Sequence, residues 1–353
     1  MRLTYDPGKP QGVITEAGGS ALNTHRPSAV LPKSGDARPF LKFLEYMFPD
    51  EADRKEVMKW LATLIAHPER RMLYGLLFIS ETQGVGKSTI GRILAEIVGP
   101  HNASFPSERD IGAEFNEWLY EKRLAVVNEV YAGASWKAYH ALKDIVTEPF
   151  VELNRKFQRK IKVPNWIHLI ACSNSFRALK IARGDRRWFV PRVTEEGWPR
   201  DKFAELWKWL RRDGFGEIVT WARGYGSYVE DGAHAPMSET KLRVIEEGLS
   251  DAGKIAVDLA EKVAAADRAV AVSARKVKEH IRTALAFDRL NESDHELFGL
   301  MRDAGVTTWD RIKIGPHRET ILVNALALAE LEAMPEADRN AAVRDLVAKG
   351  LPL

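Results

Sequence analysis

The sequence predicts an α/β protein with a phosphate-loop core, a helical segment ahead of it and a mainly helical C-terminal domain. Leu124-Ala125-Val126-Val127 and Ile167-His168-Leu169-Ile170-Ala171-Cys172 are apolar almost throughout, as strands buried on both faces of a sheet must be. Strand-like and helix-like runs alternate from residue 73 to residue 172. Leu77 to Thr89 reads as an apolar strand, a glycine-bearing turn, then Lys-Ser-Thr opening an amphipathic helix from Ile90 to Val98.

Residues 1–37, rich in Gly, Pro and small polar side chains, are expected to form an extended lead-in. A helical segment over 38–72 follows, with Phe40, Phe43, Leu44, Met47 and Phe48 on one helix and Val57, Trp60, Leu61, Leu64 and Ile65 on the next. The core domain spans 73–230: strand 73–80, helix 87–98, strand 124–128, helix 135–146, a hairpin over 149–163 and strand 167–172. Phe203 to Arg223 then sets Leu206, Trp207, Leu210, Ile218 and Trp221 at helical spacing, which fits a buried face better than a base-stacking platform. Asp231 to Pro236 reads as a linker, and 237–353 as a helical domain without a catalytic signature.

Composition narrows the function classes. A net charge of +3 gives no global case for nucleic acid, so any basic surface must be local. The lone Cys172 rules out an internal disulfide and a Cys-rich zinc site, and fits a reducing cytoplasm. No apolar run approaches the roughly 20 residues that span a bilayer. The N-terminus lacks the basic-then-apolar shape of a signal peptide. A cytoplasmic chain with no membrane partner is expected.

The chemistry starts at the turn. Gln83, Gly84, Val85, Gly86, Lys87, Ser88 and Thr89 are the expected phosphate contacts, with successive N–H groups around the phosphates, Lys87 on the outer ones and Ser88 on Mg2+. Glycine is needed where a Cβ would block the anion. The consensus G-x-x-x-x-G-K-[ST] puts glycine at 81, where this chain has Glu81; Gly84, Gly86, Lys87 and Ser88 are intact. The bland alternative is a chance Gly-x-Gly-Lys-Ser turn, against which the flanking strand and helix both speak.

Asn128 and Glu129 end a buried strand where magnesium coordination and a base are expected. Glu129 is the residue to polarise a water; Asn128 stands where aspartate is usual and brings no negative charge. The competing reading is an ordinary solvated strand end. Asn174, after the strand ending at Cys172, would lie at the C-terminal sheet edge, where ligands bind in open α/β folds, and could orient the water or sense the γ-phosphate. Arg186 and Arg187 are candidates for an arginine finger acting on a neighbouring subunit's ATP, or for a salt bridge to Asp185. Arg155, Lys156, Arg159 and Lys160 cluster near the expected hairpin tip, which suits a grip on a phosphate backbone but also a plain solvated face.

In order and spacing these pieces resemble superfamily 3 helicases, specifically the ATPase part of phage and plasmid primase–helicases. The matching residues are Leu22-Asn23-Thr24, Trp60-Leu61-Ala62 with Pro68, Gly84-Val85-Gly86-Lys87-Ser88, Asn128-Glu129, Ala141 to Thr147 leading into Asn154-Arg155-Lys156, Ser173-Asn174, and Arg186-Arg187. They cover roughly residues 20–230. The resemblance implies a AAA+-like ring, usually a hexamer, with ATP and Mg2+ between subunits. Hairpins would walk along single-stranded DNA at a fork. By position it makes Lys87 and Ser88 the phosphate and Mg2+ contacts, Glu129 the activator of water, Asn174 the sensor, Arg187 or Arg186 the finger in trans, and Lys156 the DNA contact. The primase portion usual in this family does not precede the core, so a separate primase or polymerase is an expected partner.

The C-terminal domain adds a possible second DNA contact. The helix Ala274–Ala286 carries Arg275, Lys276, Lys278 and Arg282; a second helix over Glu292–Ala304 and a basic hairpin from Arg311 to Val323 complete a winged-helix-like order. Its second helix is acidic, so protein docking competes with DNA binding. The function expected is an ATP-driven DNA helicase or translocase of a phage, plasmid or integrated element. The alternatives are a AAA+ initiator or loader, and a nucleotide-gated DNA-binding module with little hydrolysis.

Overall fold

The structure, a computed structural model, describes all residues except 1, 17–18, 130–135, 178, 180, 183, 287–289, 291 and 351–353, and the backbone alone at 16, 136–140 and 310. It comprises two compact units, Met1–Ile181 with Asp185–Val244, and Ile245–Leu353 with Ala182–Gly184. No described helix is long and apolar enough to cross a membrane.

The first unit is mixed α/β. Its N-terminal residues form a small sheet from β1 (Arg2–Thr4), β2 (Gly12–Glu16) and β3 (Gly19–Asn23), with β1 parallel and β2 antiparallel to β3. The lead-in is therefore a folded sheet and not merely an extended strap. Its anchor is the buried Asn23: the Nδ2 donates to Asp6 O, Lys9 O and Pro10 O at 2.9, 3.1 and 3.0 Å, and the Oδ1 accepts from the N–H of Asp6 and of His25. Helices α1 (Arg38–Met47) and α2 (Glu51–Ala66) follow, the second capped by Asp50 accepting from the Asp53 N–H.

The central sheet contains β4 (Gly75–Ile79), β5 (Ala103–Ser104), β6 (Leu124–Val127), β9 (His168–Ser173) and β10 (Trp188–Phe189). Every pairing is parallel and the order is β10-β4-β9-β6-β5. Parallel neighbours need crossovers, supplied by α3 (Lys87–Val98), by the short α4 (Glu108–Gly112), and by α5 (Trp136–Thr147) with the antiparallel pair β7 (Phe150–Leu153) and β8 (Ile161–Pro164). The first residue of the helix expected over 135–146 lies outside the described residues. Strands β4, β6 and β9 are buried at every position, which is why they are apolar but for His168 and Ser173 at the two ends of β9. Because β9 lies between β4 and β6, the three strands end side by side at one sheet edge.

One continuous core joins Phe40, Phe43 and Met47 of α1, Trp60 and Leu64 of α2, and Ile90 and Leu94 of α3 to the sheet. The helix expected over 203–223 is α6 (Arg200–Trp209) and α7 (Phe215–Arg223) joined by a π-helical turn at Leu210–Gly214. A Cβ on Gly214 would sit 2.7 Å from the Trp209 ring, so the glycine lets the indole close over the turn. Leu206, Leu210 and Ile218 are buried, with Trp207 and Trp221 packed against them, so these tryptophans are core residues.

At the opposite end of β6 and β9 lies a buried, poorly compensated polar group. Arg123 is fully enclosed and donates from Nη2 to Leu64 O at 2.7 Å, and burial pulls its guanidinium down to about 10. Burial, then the Arg123 charge, lowers His25 to about 4 and His168 to about 3, so both are neutral in the folded chain at pH 7. An unfolded histidine takes its proton near pH 6.5. The unfolded chain therefore binds more protons below that pH, and stability present above 6.5 is lost as pH falls toward 4. Urea titrations should show a loss of roughly 1.4 kcal/mol per pH unit per histidine in this window, and His168→Gln should remove its share. Equal stability at pH 7 and pH 5 would contradict the burial of neutral histidines.

Helix α8 (Glu239–Glu247) carries the chain from the first unit into the second. The second unit continues with α9 (Asp251–Ala264), β11 (Ala271–Ser273), α10 (Ala274–Leu285), α11 (Asp294–Asp303), β12 (Thr307–Ile314), β13 (His317–Val323), α12 (Ala325–Glu332) and α13 (Glu336–Lys349). Its antiparallel sheet has the order β11-β13-β12. Alternation splits the strands between two cores: Val272 and Leu322 pack with α9, α10 and α11, while Ala271, Ile321 and Val323 pack with α12 and α13. The basic helix is partly neutralised within the unit, since Lys278 pairs with Asp294 at 2.8 Å and Arg275 with Glu319 at 2.9 Å.

Candidate functional site

The ends of β4, β6 and β9 and the start of α3 enclose a cavity of about 350 Å3. Its lining includes Gln83 to Ser88 from the turn and the start of α3, Asn128 and Glu129 after β6, and Ser173 and Asn174 at the end of β9. The fold thus brings together residues that lie far apart in sequence. Gly84 and Gly86 have φ of 77° and 113°, the left-handed region that penalises side chains. A Cβ on Gly86 would also meet the Phe43 ring at 3.0 Å. Val85 is fully buried and pins the turn to the core, while the first N–H groups of α3 have no intrahelical acceptor and favour an anion. Thr89 lies in the first turn of α3 with its N–H on Gly86 O at 2.9 Å, behind the lining residues.

Lys87 is buried, and its Nζ donates to Ser80 O at 2.9 Å and Thr82 O at 3.2 Å. Burial holds its pKa below the ordinary lysine value, partly opposed by Cys172 and Glu195. Cys172 itself is pushed up to about 12 by burial, so it is a thiol and a wall of the cavity, not a nucleophile.

Residue 81 turns out not to need glycine: its φ is not positive, and its N–H is used. The Glu195 carboxylate, from the segment after β10, accepts from Ser80 Oγ at 2.9 Å, Glu81 N–H at 3.1 Å and Thr82 N–H at 2.8 Å. Burial raises the Glu195 pKa, but these donors outweigh it and hold the carboxylate below its usual range. Lys87 thus holds the carbonyls of the first half of the turn while Glu195 holds its donors. On the nucleotide-binding reading proposed below, Glu195→Ala should weaken binding of a nucleoside triphosphate about tenfold, with Glu195→Gln recovering part of the loss, in a fluorescent-nucleotide titration. An alanine variant that binds like the parent would show that the turn keeps its shape unaided.

Asn128 Oδ1 is buried and has no hydrogen-bond donor among the described residues. Glu129 is exposed and adopts φ of 57°, a conformation a glutamate adopts at some cost and one that marks functional positions. Ser88 hydroxyl, Asn128 carbonyl and Glu129 carboxylate form an all-oxygen donor set, which fits Mg2+ completed by phosphate oxygens and water. Among the described residues no cluster of three His, Cys, Asp or Glu offers a different metal site.

The arginines are not part of this cavity. Arg187 points to Asp185, with Nη1 at 3.8 Å from Oδ2, while its N–H donates to Asp185 Oδ1 at 2.8 Å. The Arg186 side chain is exposed, and its carbonyl accepts from the Ala235 N–H at 2.9 Å. Sequence reasoning missed Glu195 and Arg92. Arg92 had a signal, since it lies one helical turn after Ser88 on the same face of α3.

The basic hairpin is the β7–β8 pair. Asn116 ties down the start of its turn: the Asn154 N–H donates to Asn116 Oδ1 at 2.7 Å, and Asn116 N–H to Asn154 O at 3.1 Å. Its four cations differ. Arg155 stacks on the Tyr120 ring at 4.5 Å and Lys160 pairs with Glu152 at 3.1 Å, whereas Arg159 is exposed and Lys156 lies over the Phe157 ring at 5.1 Å. Phe157, at φ of 62°, is 95% exposed on the tip, an aromatic the basic run had hidden from view.

Residues 78–187, from β4 through Arg187, match a family of unknown function, DUF5906. Over 266 residues the chain is 24% identical to the DNA primase-polymerase of Nitratiruptor phage NrS-1, covering 73% of this chain and 35% of that protein. Two apo structures of the C-terminal region of the NrS-1 protein superpose with TM-scores of 0.63 and 0.66 at 19% identity, each covering 92% of this chain and 85% and 84% of theirs. The chain has the fold of that C-terminal region. It spans about a third of the length of the curated relative it matches.

Proposed function

We propose that this chain is an ATP-driven DNA helicase or translocase of the superfamily 3, AAA+-like kind, serving replication of a phage, plasmid or integrated element. The observation that carries the reading is the convergence of Lys87, Ser88, Asn128, Glu129 and Asn174, from two strand ends and one helix, on a single cavity. Similarity to a phage primase-polymerase supports the replication setting.

In this reading the Lys87 ammonium leaves Ser80 O and Thr82 O and turns to the outer phosphates, keeping its donors satisfied and neutralising their charge. Glu129 takes the proton of the attacking water while Asn174 holds that water in line. Ser88, Asn128 and Glu129 would hold Mg2+, which supplies charge neutralisation on the phosphates when bound. Arg186, exposed and without a carboxylate partner among the described residues, is the better finger toward a neighbouring subunit's ATP in a ring, taken as the hexamer usual in this family; Arg187 braces Asp185. The neutral Asn128 favours one rival, a nucleotide-gated DNA-binding module with little hydrolysis. An initiator or loader is the other.

Lys156 and Arg159 at the hairpin tip would grip the phosphate backbone of single-stranded or forked DNA. Lys156→Ala should lower affinity for single-stranded DNA about threefold to tenfold at moderate salt and leave basal ATPase unchanged. Equal DNA affinity would remove the hairpin from the interface. Strand displacement on a tailed duplex tests the function itself: ATP-dependent unwinding is expected, and ATPase without displacement would favour the loader.

A further inference from the structure

A second cavity, of about 420 Å3, opens at the foot of the hairpin and shares no lining residue with the phosphate cavity. Its volume falls within the ~300–1,000 Å3 of small-molecule sites. Strand β1, the Leu119–Lys122 turn and the hairpin base enclose it. Four rings line it, Tyr5, Tyr120, Phe150 and Trp166, together with the cations Arg2, Lys122, Arg155 and Lys162. Two of the cations already lie on rings, Arg155 at 4.5 Å from Tyr120 and Lys162 at 5.3 Å from Phe150. Two buried donors, Arg155 Nε and Trp166 Nε1, have no acceptor among the described residues. The two carboxylates on the lining both have partners: Glu121 accepts from Thr24 Oγ1, itself on the wall, at 2.6 Å, and Asp6 pairs with Lys9 at 3.1 Å.

An occupant that suits these walls has a flat π face, acceptor atoms at its edge and negative charge. Arg155 also lies next in sequence to the tip residues Lys156 and Phe157, so basic and aromatic groups run without a break from the cavity to the tip. We propose that this cavity receives one unstacked nucleotide of the single strand held by the hairpin, with the base among Tyr120, Phe150 and Trp166 and the phosphate toward Arg155 and Lys162. The inference rests on the single-stranded-DNA reading above. It adds to a backbone grip, which is indifferent to the bases, a pocket that takes a base out of the stack.

The test uses the full chain and a fluorescein-labelled thymidine oligonucleotide. Phe150 and Lys162 are both exposed on the hairpin, so Phe150→Ala and Lys162→Ala should fold and should each weaken binding about tenfold by anisotropy. On the unaltered protein, a strand carrying 5-iododeoxyuridine should photocross-link to the peptides containing Tyr120 or Trp166. If Lys156→Ala weakens binding while both cavity variants bind normally and no such cross-link forms, the cavity proposal is overturned and the hairpin reading stands. If the unaltered chain does not bind the oligonucleotide, both fall together.

Discussion

Lys87→Ala is expected to abolish nucleotide turnover, with a fall of at least about a hundredfold to a thousandfold in rate. The size follows from where the ammonium sits. It is buried at the start of α3, on the cavity wall, with its donors held by two carbonyls of the turn that contains it. A phosphate replaces those carbonyls with charged oxygens, and charge-assisted hydrogen bonds of this kind contribute about 1.5–3 kcal/mol each. The fold should survive, because removing a desolvated charge relieves a burial penalty that offsets the lost hydrogen bonds. The measurement is phosphate release by the purified variant, with its unfolding midpoint as control. Parent-level turnover in a folded Lys87→Ala protein would sink the nucleotide site.

Glu129→Gln should separate binding from chemistry. Glutamine has the same length and the same backbone demands at φ of 57°, so the turn after β6 is preserved. What disappears is the capacity to take a proton, which contributes typically 10²–10⁴-fold to a rate. Nucleotide affinity should stay within about twofold while turnover drops by that factor, since a neutral amide still offers an oxygen to the site. Comparable turnover in the variant would move the base elsewhere. A comparable loss of affinity would make Glu129 a binding residue first.

Much of this site was legible because its signals are local. Gly84, Gly86 and Lys-Ser-Thr are consecutive, and the helix they open runs from Lys87 to Val98, within the range its apolar spacing indicated. Strands β6 and β9 were readable because burial on both faces leaves no polar alternation to obscure them. What escaped depends on contacts across long stretches of chain. Glu195 carries no motif, yet it holds the turn more than a hundred residues earlier, and only the fold brings it there. The apparent defect at Glu81 dissolved for the same reason, since the consensus glycine is not demanded by the backbone found at that position. The basic run over 155–160 looked uniform in sequence, whereas in space Arg155 stacks on Tyr120 and Lys160 meets Glu152. The N-terminal sheet was hidden by composition, because Asn23 organises it through side-chain bonds to Asp6, Lys9 and Pro10 that no periodicity reports.

The central claim is that one cavity hydrolyses ATP and that DNA on the hairpin drives it. ATP turnover measured with and without single-stranded DNA, on protein whose mass in solution is followed in parallel, tests it most directly. The account predicts turnover that rises several-fold on adding the strand, carried by an assembly larger than one chain. Turnover that is absent under both conditions, or that is carried by a single chain indifferent to DNA, would contradict it.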